Sequence, residues 1–476
     1  MTRRTTQRTT QRTTRRTTRR SLCGALTFTL ALVAVPLLLA TPAAHADIVG
    51  IHTYYVSATG SDAAPGLTPS TAWQTLQAVS SHTLSAGDTV LLQGGATFNG
   101  PLYLDATDSG VTVGSFGTGR ATIVGHGTPG FFGYDTSSIT LRDLDVVGDD
   151  AAYASKGGIS FYSDRPAGQR LAGITISALS TRGFKNGVEI GAAHPAAGFA
   201  QVSISDVTAT ANRDAGVITY GPAFNPSAPS YAHTGVQVLR TTANGNLGNP
   251  ADRVHNSGNG IVLGSVDGGA ITSSRASGNG ARCAAPEGPV GIWTYDSHGI
   301  KITNNVSTGN RTGGSADGDG FDLDQNVSGS YLEHNTSSGN DGAGYLVYTA
   351  QTSRAHHDNY VRWNRSSNDA RKNSWYGAIT LAGRITRVTV TGNTVDTRLS
   401  ASHPAALTLK PGALGVRVTG NTLYAAPGYN VVVSPKLGTS AVSMAYNHWS
   451  AAVQRVGWGT TRYPSRAAWT RATGQY

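Results

Sequence analysis

A glycine followed by a short alternation of apolar and other residues recurs along most of this chain. It opens Gly158–Tyr162, Gly187–Ile190, Gly216–Tyr220, Gly260–Leu263, Gly291–Tyr295, Gly320–Asp324 and Gly344–Tyr348, and continues at Gly377–Leu381. The interval runs from 24 residues (Gly320 to Gly344) to 44 residues (Gly216 to Gly260). A second alternation precedes most of these segments, as in Ile174–Ile176, Val202–Ile204, Val236–Val238, Ile300–Ile302, Val388–Val390 and Val416–Val418. Polar stretches bearing Asn212, Asn244, Asn279, Asn310, Asn340 and Asn368 follow. Period-two alternation is the strand pattern, and the units have no room for a crossover helix, which excludes a doubly wound sheet. A stack of coils, a parallel β-helix, satisfies the pattern. The recurring asparagines are expected to stack as an amide ladder in the turns.

Such a stack needs covered ends. At the first, Tyr54–Asp62 reads as a strand and turn, and Pro69–Ala78 as a short helix burying Trp73 and Leu76. Gly87–Leu92 then begins the coils. At the other, Ser465 is placed to N-cap a helix through Trp469 that stops at Gly474. The predicted organisation is a cap over 47–85, coils over 86–448 and a second cap over 449–476, all one domain.

Strand neighbours in such a stack lie ~4.8 Å apart, so outward positions form columns. Two residues after each glycine come Ser160, Glu189, Ile218, Val262, Trp293, Asp322, Leu346 and Ile379. Four residues after come Tyr162, Gly191, Tyr220, Gly264, Tyr295, Asp324, Tyr348 and Leu381. Asp322 and Asp324 therefore stand together in solvent, framed by Trp293, Tyr295 and Tyr348. They belong to a run holding four carboxylates in eight residues, Asp317 to Asp324. Like charges raise each other's pKa, so such a pair does acid/base work or holds a cation. Aromatic faces beside carboxylates suit a sugar, whose C–H faces stack while its hydroxyls bond the acids. On an extended strand the two Cα atoms are ~6.6 Å apart, compatible with either retaining or inverting glycoside cleavage. Asp317, Asp319 and Asp322 could alternatively ligate Ca²⁺, which takes six to eight hard oxygens.

Composition trims the alternatives. Residues 1–46 read as an export signal, possessing eight arginines, an apolar run from Leu22 to Ala40 and a small-residue cleavage site at Ala44–Ala46. Thr18–Leu22 resembles a twin-arginine signal. The whole chain has net charge +10, so the mature chain carries 10 − 8 = +2, which gives no reason to expect nucleic acid. Cys23 leaves with the signal and Cys283 remains alone, so no internal disulfide forms. A secreted monomer free of the membrane is expected. His356-His357-Asp358 reads as a turn, since adjacent strand residues face opposite ways. Glu189 lies too far along the stack to do more than touch a distant sugar. Glu287, in the insertion Arg282–Pro289 ahead of the Trp293 strand, is placed to reach a bound substrate from a cleft wall.

The cap and coil pattern resembles secreted right-handed parallel β-helix proteins of the pectate-lyase-like superfamily over nearly the whole mature chain. Asp319-Gly-Phe-Asp322-Leu323 is similar to the aspartate motif of family 9 pectate lyases. That resemblance implies Ca²⁺ held by Asp319 and Asp322. The chain departs from the motif at Gly318, where the first aspartate belongs. It also places Leu346 where those lyases resemble one another in a lysine base, and no pattern brings Lys301, Arg371, Lys372 or Lys410 there. With carboxylates present and the base missing, the expectation is an all-β, single-domain right-handed parallel β-helix that hydrolyses a polysaccharide without a required cofactor. Asp322 and Asp324 are then the catalytic pair, assisted by Asp319, with Trp293, Tyr295, Tyr348 and Glu287 holding sugar. A Ca²⁺-dependent lyase and a non-catalytic glycan-binding solenoid are the alternatives.

Overall fold

A computed structural model describes residues 50–149, 156–350, 352–425, 427–434, 437, 441–449 and 454–476. The expected export signal, residues 1–46, lies outside the described residues. The alternating segments form two long sheets of stacked strands. One holds 14 strands running from Leu102–Leu104 to Thr461–Tyr463, parallel until its last pair, the hairpin of Val456–Trp458 with Thr461–Tyr463. The other holds 27 strands and is folded along its length. Thr175–Arg182 shows the fold line: it pairs with Ser203–Thr210 on both sides of Ala178, whose φ of 52° bends the strand sharply. The apolar residues of all faces meet inside in one continuous core. This is a single-domain right-handed parallel β-helix.

At each of two corners a run of successive coils shares one device, a left-handed residue followed by an asparagine. Gly245 (φ 62°) precedes Asn246 and Gly309 (φ 62°) precedes Asn310 at one corner. At the other, Asn304 (φ 58°) precedes Asn305 and Trp363 (φ 55°) precedes Asn364. The expected ladder therefore runs Asn212, Asn246, Asn279, Asn310, Asn340 and ends in Asp369. Asn244 and Asn368 are not rungs. Asn244 lies in a strand, and Asn368 is the left-handed residue (φ 57°) before the last rung. A second ladder, absent from the sequence reading, links Asn305, Asn335, Asn364, Asn393, Asn421 and Asn447.

Each rung answers buried backbone polarity. The Asn335 side-chain oxygen accepts from the Asn305 amide at 2.9 Å, and its Nδ2 donates to the Ile302 carbonyl at 2.8 Å. An orphaned buried group costs about 1–3 kcal/mol. Asn335→Ala orphans several, so unfolding free energy is expected to fall by on the order of 3 kcal/mol. Guanidinium titration checks this, and an unchanged midpoint with unchanged slope refutes it.

The ends are closed by aromatics. Trp469, fully buried on the Arg466–Thr473 helix, packs on Trp449 and Trp458 at 5.5 and 5.4 Å between ring centroids. Ser465 caps that helix through the Ala468 amide, and Gly474 ends it at φ 68°. At the other end Trp73 and Leu76 are buried as expected. The single helix expected over 69–78 is instead a 3-10 turn at Pro69–Thr71 and a helix at Leu76–Ser80. Trp73 breaks it by joining the first strand, its amide donating to Tyr55 at 2.9 Å and its carbonyl accepting from Ser57 at 2.8 Å.

Candidate functional site: an acidic cleft on one face

The Asp319–Leu323 strand lies between Val290–Tyr295 and Tyr345–Thr349 in the 14-strand sheet. Phe321 and Leu323 turn into the core, and Asp322 sits in register with Trp293 on one side and Leu346 on the other. The expected column thus holds from Ser160 to Leu346. Its last step fails. Leu346 pairs with Thr380 and Tyr348 with Ala382, because Ala378 and not Gly377 takes the position equivalent to Gly344.

The aspartates are not on an open surface. Loops from four coils rise around them and enclose a cleft of about 530 Å³, with Asp322, Asp324, Trp293, Leu346 and Tyr348 at its base. Asn256 stands in one wall and Glu287, exposed as expected of a loop residue, in the next. Asp317 and the loop residues Trp375 and Tyr376 complete it. Asp322 is 3 % exposed. Asp324 lies one residue past the strand, and its amide donates to the Thr294 carbonyl at 2.9 Å.

Two expected sugar platforms are corrected. Trp293 lines the cleft but is 6 % exposed, packed with Val262 and Val290, while its Nε1 donates to Asn259 at 3.0 Å. Tyr295 is absent from the lining. Its ring lies across Gly264, where a Cβ would fall 2.3 Å from the ring. Tyr348, half-buried, does face the cleft. Trp375 and Tyr376 belong to no repeat position, and sequence reasoning missed both.

Asp317 ties the walls together. One oxygen accepts from the Gly288 amide at 2.7 Å, the other accepts from the Tyr376 hydroxyl, and its own amide donates to that hydroxyl at 2.9 Å. Lys372 adds donations to the Thr312 and Gly314 carbonyls at 2.7 and 2.8 Å. Asp319 is fully buried at the strand's start, closed over by Gly342. Neither of its oxygens has a hydrogen-bond partner; the Ala343 amide approaches without reaching bonding geometry.

All four carboxyls are pushed above the usual carboxylate range, first by burial; Asp317 is raised further by Glu287, against the bonds from Tyr376 and Gly288. Asp324 rises to about 8, with the charges of Asp317, Glu287 and Asp296 adding to burial. Asp322 is raised by burial and then by Asp324 and Asp319. Burial and Asp317 raise Asp319. Asp369, at the end of the ladder, rises to about 6 by burial although Ser366 and Asn340 bond it.

This arrangement does not fit the expected Ca²⁺ site of Asp317, Asp319 and Asp322. Both Asp317 oxygens are engaged by protein donors, and among the described residues no three acidic, His or Cys side chains converge on one point. The other candidates also separate. His356 is buried under the turn after Asp324, accepting from the Val327 amide at 3.3 Å, whereas His357 bonds Asp358 at 2.8 Å. Glu189 is four strand spacings from Asp322 and is bonded by Asn186 at 2.7 Å and Tyr220 at 3.1 Å. Lys301 stands on the other sheet, paired with Tyr331.

No protein-family profile matches the sequence, and no curated protein matches it. Solved structures do. The GH136 lacto-N-biosidase from Eubacterium ramulus superposes with a TM-score of 0.57 at 16% identity, covering 84% of this chain and 68% of that one. The Dettilon tailspike protein follows at a TM-score of 0.50 and 14% identity, covering 77% and 66%. The A-module of the Azotobacter vinelandii mannuronan C-5 epimerase has a TM-score of 0.47 at 15% identity, over 76% and 91%. At such identities the likeness shows the fold. The chain has the right-handed parallel β-helix fold, with a recessed acidic cleft on the outer surface of one sheet.

Proposed function

We propose that this protein is exported and hydrolyses glycosidic bonds in a polysaccharide at the Asp322/Asp324 cleft. One observation carries the reading: two carboxyls with raised pKa values line the base of one water-accessible, aromatic-walled cleft. Two acids so close cannot both ionise readily, and they titrate as a pair. Once Asp324 ionises, its charge holds the proton on Asp322, which supplies an acid and a base together. The acid protonates the leaving glycosidic oxygen as its bond to the anomeric carbon breaks. The carboxylate either deprotonates an attacking water or adds to that carbon, after which water releases the sugar. Tyr348 and Trp375 offer faces for the sugar rings. The lacto-N-biosidase among the structural neighbours is named for a glycan-cleaving activity, in keeping with this reading. Leu346, opposite Asp322, leaves no lysine where β-elimination would need its base.

Incubating the protein with a polysaccharide panel, with and without EDTA, tests this. The expected result is new reducing ends without ultraviolet absorbance, indifferent to EDTA. Absorbance that EDTA abolishes means a metal-dependent lyase. Glycan retention without product means a binding solenoid.

A further inference from the structure

The acidic cleft continues past Tyr348 and Trp375 into a second, smaller pocket of about 150 Å³, which those two residues share with it. Thr349, Ala382, Gly383 and Pro411 line the rest, and Lys410 is its one charged residue. The two pockets have opposite character. The main cleft presents Asp317, Asp322, Asp324 and Glu287 and no Lys, Arg or His.

Lys410 follows the Leu407–Leu409 strand, three coils beyond Asp322, and its amide is fixed by the Leu381 carbonyl at 2.8 Å. Its ammonium lies 4.7 Å from the centre of the Trp375 ring. Among the described residues no carboxylate pairs with it. Burial alone lowers its pKa, as expected for a partly desolvated cation without a counter-charge.

We propose that the Lys410 pocket is a subsite for a compact oxyanion on the glycan, a carboxylate or a sulfate ester. An anionic sugar at the cleft base would face four carboxyl-bearing side chains, at least some of them charged. The same sugar further along, past Tyr348 and Trp375, meets an unpaired ammonium beside an aromatic wall. The substrate class is therefore a mixed glycan, with a neutral residue over Asp322 and Asp324 and an acidic residue further along the chain. The direction of cleavage rests on the hydrolytic reading above. The binding preference does not.

The test measures binding separately from turnover. Wild type, Lys410→Met and Lys410→Arg are applied to a broad array of defined neutral, uronate-bearing and sulfated oligosaccharides. Hyaluronan and keratan sulfate hexasaccharides are included beside their carboxyl-reduced and desulfated counterparts. The expected result is retention of glycans alternating neutral and acidic sugars, weakened at least about tenfold by Lys410→Met and by raised salt, and largely kept by Lys410→Arg. Loss on carboxyl reduction identifies a carboxylate, and loss on desulfation a sulfate. Equal retention of charged and neutral forms, an unchanged Lys410→Met, or no retention at all overturns the subsite. Lys410-dependent binding without cleavage upholds it and removes the hydrolytic reading instead.

Discussion

Asp322→Asn is expected to lower turnover roughly a thousandfold, within the ~10²–10⁴ range that general acid–base catalysis contributes. Asp324→Asn is expected to match it, because the pair shares its proton. Neither loss should come from misfolding. Asp322 has an oxygen without a hydrogen-bond partner, as does Asp324, so the isosteric amide removes a buried charge and breaks little. The melting temperature of either variant at pH 8 should therefore equal or exceed that of the parent. Activity and stability move in opposite directions, a combination that a merely structural carboxylate does not produce. In the parent, activity should also rise as Asp324 ionises, with an acid limb near the value of about 8 that it reaches, while Asp322, raised further by that charge, keeps its proton as the acid. Retained turnover in both variants would remove the catalytic assignment.

The second large effect concerns stability against pH. A carboxyl with a higher pKa in the folded chain than in the unfolded one holds its proton more tightly when folded. Its contribution is complete below the ordinary carboxylate pKa, about 4, and is lost as pH rises through the folded value. Asp369 loses it towards pH 6 and Asp324 towards pH 8. With one pKa unit worth about 1.4 kcal/mol, Asp369 alone accounts for about 3 kcal/mol. Buried His233 and His356, lowered to about 4 and about 3, and Asp358, lowered to about 2 by Arg387, act in the opposite sense, but only below pH 6.5. Calorimetry should therefore find a higher melting temperature at pH 6.5 than at pH 8.5. Asp319→Asn should shrink the difference by several degrees, since Asp319 has no bonded partner to lose. A melting temperature that rises over this interval, or an unchanged slope in Asp319→Asn, would count against the buried acidic cluster.

Much of this was legible in the chain because strand stacking preserves sequence periodicity. The glycine-led segments gave the coil order, and counting two residues on placed Asp322 between Trp293 and Leu346. The count slipped at Gly377 because the tight position there takes alanine, so the glycine no longer marks the strand's start. The ladders were half seen for a related reason. The rung is the residue after the left-handed one, a relation between neighbours that a search for Asn alone does not find. The recurring Asn305, Asn335, Asn364, Asn393, Asn421 and Asn447 carried that signal at intervals of 26 to 30 residues. Burial of the site was not legible. Whether Trp293 and Asp322 lie open or enclosed depends on aperiodic loops folding over them, and Trp375 and Tyr376 enter the cleft from such a loop.

The ladders also divide the molecule into parts that change at different rates. Where the ladders run, the corners are held by amides bonding the coil above and below, so length cannot vary there without breaking a column. The segments after the Asn246, Asn279, Asn310 and Asp369 rungs lie outside the ladders and build the cleft walls, joined to one another chiefly through Asp317 and Lys372. Doubling a flexible loop there adds only about 0.6 kcal/mol of closure entropy. Wall loops could thus be lengthened, exchanged or grafted from other β-helices with the strand register intact. Substrate range in such a scaffold can drift quickly over a frame that hardly moves, which makes the loops after those rungs the natural place to begin directed evolution.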